Sequence, residues 1–165
     1  MLNAINSINK YIEKIEDLFV MYVVVIMTAA IFIQVVMRYV FNNSLSWSEE
    51  FATFCFMWLT WIGASNGVKK NTHIRILLLV EFLKGKYFKY TMIFIDSIWL
   101  LFSIYLVKNG IAMVRMSYVN HRISAALEVP MYIMYSSVVV GGGLMCLGLL
   151  SVILNRWKDL SSKEA

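Results

Sequence analysis

Four long apolar runs, separated by short stretches that hold almost all of the charge, set the pattern of this chain. A helix needs about 20 apolar residues to cross the hydrocarbon of a bilayer, and the runs at 18–37, 51–68, 90–114 and 131–154 meet or approach that length. The first has Gln34 as its one strongly polar side chain, and the second is bracketed by Glu49-Glu50 and Lys69-Lys70. The third carries Asp96 and Lys108, whereas the fourth has no charge. Inside lipid every backbone N–H and C=O must be satisfied by the spanning structure itself; a barrel would need many alternating strands of about 10 residues, which leaves helices. The pattern predicts an all-α membrane protein with four transmembrane helices in one domain over residues 1–165.

Two connectors predict short interfacial helices. Ile5, Ile8, Ile12 and Ile15 recur at helical spacing while Lys10, Glu13, Lys14 and Asp17 fall on other faces, so residues 1–17 read as an amphipathic helix lying in the interface. Within the basic connector 69–89, the apolar stretch from His73 to Leu83 is too short to span and is placed in the same interface. The first run stands in signal-peptide position, but it is too long for such a segment and no small-residue cleavage site follows, so it is expected to be retained.

Composition agrees with this pattern. The 165 residues are 60% hydrophobic and 15% charged, against about 45–50% and about 25% in soluble domains; the mean hydropathy is +0.69. A net charge of +5 would suit nucleic acid if it formed one soluble face, but the cations lie between the apolar runs, which points to membrane lipids and to no nucleic acid. Eleven of the 15 Lys and Arg fall on the side of the two termini and the 69–89 connector. Positive loops stay in the cytoplasm, so both termini are expected there.

Few residues offer chemistry. Ser46-Trp47-Ser48-Glu49 fits a capping box, with Ser46 as N-cap and Glu49 at N3, and Glu49 with Glu50 would favour the positive end of the helix dipole. Inter-subunit pairing and cation coordination are the other readings of these acids. Asp96 lies about 9 Å inside the cytoplasmic end of its run and Lys108 about 18 Å further, so the two cannot pair within one helix. Each needs another partner or water. Gly63 and Gly67 form a G-x-x-x-G step, and Gly141, Gly142, Gly143 and Gly148 thin the last run, which lets neighbouring helices approach closely. Cys55 and Cys146 stand alone, and His73 and His121 sit at opposite membrane sides, so no thiol-exchange pair, haem ligation or metal set is expected. Nothing here suggests an enzyme or a cofactor, and the chain has no internal repeat of the kind that builds a self-contained transporter.

One constellation is more specific. Arg38-Tyr39-Val40-Phe41 is followed by Leu45-Ser46-Trp47-Ser48-Glu49-Glu50, then Trp58 and Gly63-Ala64, then His73-Ile74-Arg75, and Val129-Pro130-Met131 opens the last run. This series resembles the small, DctQ-like membrane subunit of tripartite ATP-independent periplasmic (TRAP) transporters. The resemblance implies a bacterial inner-membrane scaffold that widens the fixed part of an elevator-type carrier. A large multi-span permease subunit would hold the substrate and sodium sites, and a periplasmic substrate-binding protein would dock transiently. The system would import organic acids, such as C4-dicarboxylates or sialic acids, on a sodium gradient. Arg38, Trp47, Glu49, Glu50, Gly63, Gly67, His73 and Arg75 then become candidate interface residues, structural or toward a partner. The alternative is a self-sufficient dimeric exporter coupled to protons through Asp96, against which stands the off-centre position of that acid.

Overall fold

The structure, a computed structural model, describes residues 2–69 and 86–161. Four helices make up the described chain: α1 (Leu2–Tyr39), α2 (Ser46–Lys69), α3 (Lys86–Val119) and α4 (Tyr132–Ser161). No strand occurs among the described residues, apart from an isolated bridge between Ile123 and Pro130. The separate interfacial helix expected over 1–17 is instead the N-terminal part of α1, a single helix of 38 residues. No Gly or Pro precedes Tyr39, so nothing in the sequence ends the helix where the apolar run begins. His73 and Arg75, and the helix expected over 73–83, lie outside the described residues.

Asn9–Tyr39, Thr91–Val119 and Tyr132–Lys158 are long and apolar enough to cross a membrane. Among the four expected spans α2 is the exception, and its position explains why it can be less apolar. It packs between α1 and α4, while α3 packs on the other side of α4, so the helices stand in a row in the order α1, α2, α4, α3. Ser65, Asn66 and Lys69 of α2 are turned toward α1, where they are paired instead of facing lipid.

The interior inverts the arrangement of a water-soluble protein. The fully buried side chains among the described residues include Ser48, Ser65, Ser103 and Ser137, while Phe32, Phe94, Leu101 and Tyr105 point outward. Lipid tails are as apolar as leucine, so helices gain nothing by hiding large apolar groups and associate by close packing of small ones. Ser103 and Ser137 donate their hydroxyls to the carbonyls of Trp99 (2.9 Å) and Met134 (2.6 Å), which removes the cost of burying them. A small apolar cluster of Val68, Met145 and Leu149, backed by Trp99, joins α2, α4 and α3.

Glycines in α4 set the closest crossings. A Cβ built at Gly141 would lie 2.6 Å from Trp61 Cβ and 2.7 Å from the Trp61 carbonyl. At Gly142 it would meet Val107 Cγ2 at 2.9 Å, and at Gly148 the Lys69 stem at 2.7 Å. Gly143 has open space instead. So do Gly63 and Gly67, whose G-x-x-x-G step meets no other helix among the described residues.

Candidate functional site

Polar side chains tie the row together at both ends. At the end of the termini, Glu16 of α1 is 3% exposed and Lys69 of α2 is 2% exposed, and Lys69 Nζ lies 2.6 Å from Glu16 Oε1. The same oxygen accepts the Ser65 hydroxyl at 3.0 Å, and the Asn66 side-chain amide donates to Asp17. The second Glu16 oxygen, Oε2, is buried with no hydrogen-bond partner. On the far side of the row, Arg156 Nε of α4 pairs with Asp96 Oδ2 of α3 at 3.2 Å. Each of these embedded ions therefore has a counter-ion on the neighbouring helix, the condition under which charge is tolerated at membrane depth.

At the opposite end the two adjacent acids of α2 have different tasks. Glu49 Oε1 accepts a hydrogen bond from Gln34 Nε2 of α1 at 2.9 Å, so the capping box expected between Ser46 and Glu49 gives way to a tie between helices. The start of α2 is satisfied otherwise: the Leu45 carbonyl accepts both the backbone N–H of Ser48 (3.2 Å) and its hydroxyl (2.8 Å). The Gln34 amide is buried, and without the Glu49 carboxylate it would carry the cost of an unsatisfied polar group.

Glu50 reaches further. Its carboxylate accepts the backbone N–H groups of Ala125 (3.0 Å), Ala126 (2.9 Å) and Leu127 (2.9 Å) in the loop between α3 and α4. The loop is built to present them. α3 ends in a left-handed residue, His121 (φ 46°), with Arg122 N–H bonded to the Ser117 carbonyl and His121 N–H to that of Tyr118, the Schellman pattern that reverses a chain. Ser124 N–H to Val129 O and Met131 N–H to Arg122 O, both 2.9 Å, then close the loop from within. The backbone N–H groups, that of Leu127 foremost, hold the Glu50 carboxyl below the usual carboxylate range. A depressed carboxylate contributes stability above its unfolded pKa and loses it as pH falls through the folded one. Acidification below the ordinary carboxylate range should therefore release the loop, and Glu50→Ala should release it at neutral pH. Hydrogen exchange at Ala125, Ala126 and Leu127 measures this, with protection expected to fall to that of an exposed loop.

The remaining candidates are at the surface of the chain. Arg38, in the last turn of α1, is exposed and forms no ion pair among the described residues; the nearby acids Glu49 and Glu50 are taken by Gln34 and the loop. Trp47 is exposed with its ring edge-on to Phe51, at 6.5 Å between centroids. Lys108 is exposed on α3. No group of three or more His, Cys, Asp and Glu that could hold a metal occurs among the described residues.

The sequence reading missed Glu16, Lys69 and Arg156. All three were accessible in principle. Two antiparallel helices joined by a short turn place residues equally distant from that turn side by side, and Glu16 and Asp17 lie about as far before the Val40–Leu45 turn as Ser65, Asn66 and Lys69 lie after it. The same count applies to the Arg156–Asp96 pair, which stands 24 residues after the start of α4 and 23 before the end of α3, on either side of a 12-residue loop.

These features define an integral membrane protein of the helical class, in which long apolar helices are clamped to one another by pairs of polar groups. Residues 27–159 match the model of the family described as tripartite ATP-independent periplasmic transporters, DctQ component, and the chain belongs to that family. A C4-dicarboxylate TRAP transporter small permease protein, DctQ, of Vibrio cholerae is 31% identical over 101 residues, 61% of this chain and 44% of the relative. Its counterpart from Rhodobacter capsulatus is 28% identical over 109 residues, 66% of this chain and 48% of the relative. A sialic acid TRAP transporter permease protein, SiaT, of Haemophilus influenzae is 31% identical over 87 residues, 53% of this chain but only 14% of the relative. The chain thus spans about half the length of these small-permease relatives.

Proposed function

We propose that this chain is the fixed scaffold subunit of a sodium-coupled TRAP importer of organic acids of the C4-dicarboxylate or sialic acid class. It sits in a bacterial inner membrane with four crossings and both termini in the cytoplasm. A large permease subunit carries substrate and sodium, and a periplasmic binding protein docks from outside. The observation that carries this reading is the commitment of the embedded charges: Glu16 to Lys69 and Asp96 to Arg156, each across a helix interface. Groups locked in helix-to-helix pairs suit a rigid support, whereas a carrier needs them free to change partners. The long sialic acid permease, in which the matched stretch is a small part of one polypeptide, supports a permanent large partner. The exporter reading makes Asp96 the proton-coupled site, and its pairing with Arg156 counts against that role.

The direct test is a mild-detergent pull-down of the tagged chain from its native membranes, with mass spectrometry of what stays bound. One large multi-span permease in stoichiometric amount is expected. A homodimer with nothing else bound would favour the exporter.

A further inference from the structure

The outward face of α3 changes character along its length. Phe94, Ile98, Leu101 and Tyr105 recur at spacings of four, three and four residues, which puts them on one stripe, and all four are exposed. The stripe continues into Lys108 and Arg115, two helical turns apart, both exposed and forming no ion pair among the described residues. From Phe94 to Tyr105 the apolar part is about 16 Å long by helical rise. That is close to half of the roughly 30 Å hydrocarbon core, the depth of one leaflet. Over the cationic part lies a concavity of about 570 Å³ lined by Lys108, Ile111, Arg115 and Met116, among others, with no acidic residue in its wall.

We propose that this face holds one anionic phospholipid, its phosphate between Lys108 and Arg115 and an acyl chain along Phe94 to Tyr105. Charge complementarity selects this occupant. A lysine at the edge of the hydrocarbon needs an anion, and paired Lys and Arg donors suit phosphate oxygens. At the same end of the row Glu49 is engaged with Gln34 and Glu50 with the loop, and the exposed Glu128 forms no ion pair with Lys108 or Arg115. α3 lies at the end of the row with α4 on one side, which leaves the stripe uncovered among the described residues. The lipid belongs to the leaflet at the end of the α3–α4 loop, and the inference does not depend on the transport reading.

Native mass spectrometry of the full chain, delipidated in detergent and titrated with phosphatidylglycerol or phosphatidylcholine, tests this. Phosphatidylglycerol should bind roughly tenfold or more tightly than phosphatidylcholine, and the double variant Lys108→Gln/Arg115→Gln should abolish the difference. The charge-preserving swap Lys108→Arg/Arg115→Lys should keep it, which separates loss of charge from loss of fold. Equal binding of the two lipids, or phosphatidylglycerol binding unchanged in the glutamine variant, would overturn the proposal. So would a glutamine variant that retains the lipid but sheds a protein partner, since the face would then belong to that protein.

Discussion

Replacing Lys69 by methionine should destabilise the protein by about 3–5 kcal/mol, the cost of leaving one member of a buried ion pair without its partner. Glu16 would keep a carboxylate buried to 97% with only the Ser65 hydroxyl to bond, and its Oε2 already has no partner. The side chain cannot simply turn away, because the Lys69 stem it faces is wedged against Gly148 of α4, and methionine fills that same space. The double variant Glu16→Gln/Lys69→Met removes both charges and should recover most of the loss, since replacing a whole buried pair is close to neutral. Thermal unfolding of the purified variants in one detergent reads both numbers. Equal loss in the single and double variants would mean that the pair is not what holds α1 to α2.

Gly141→Ala should be the next most damaging small change. The added methyl would lie 2.6 Å from Trp61 Cβ and 2.7 Å from the Trp61 backbone, so it can be accommodated only by moving α2 away from α4. Overpacking of this kind costs about 1–3 kcal/mol, and here the helix that must move also carries Lys69 and Glu50. The control lies two residues along the same helix. Gly143→Ala adds the same methyl into open space, and it should be neutral or stabilise by up to about 1 kcal/mol through helix propensity. A melting temperature lowered by the first change and held or raised by the second is the expected result. Equal behaviour would mean that α2 and α4 do not cross at Gly141.

The class of protein was legible because it depends only on composition along the chain: runs of about 20 apolar residues have few other uses. The glycines of α4 were also legible as packing residues, and Gly141, Gly142 and Gly148 do sit at crossings with α2 and α3. Gly63 and Gly67 have the same pattern and meet no neighbour among the described residues, because sequence spacing gives a helix face without saying what lies opposite. The acids at 49 and 50 show the other limit. Ser46-x-x-Glu49 satisfies a local rule, yet the buried amide of Gln34, fifteen residues earlier, competes for the same carboxylate. Glu50 finds its three donors some 75 residues away, in a loop whose shape depends on left-handed residues at His121 and Glu128, where no glycine marks the turn. What local patterns cannot supply is the order of the row, and that order decides which polar groups meet.

On the proposed scaffold role, this chain supports a carrier and is not one. Vesicles holding the purified chain alone, given an inward sodium gradient, should take up neither C4-dicarboxylate nor sialic acid above the level of empty vesicles, even with a binding protein outside. Adding the large permease that co-purifies with the chain should start uptake of the one acid that its binding protein delivers. Transport by the chain alone, under either a sodium or a proton gradient, would contradict the account.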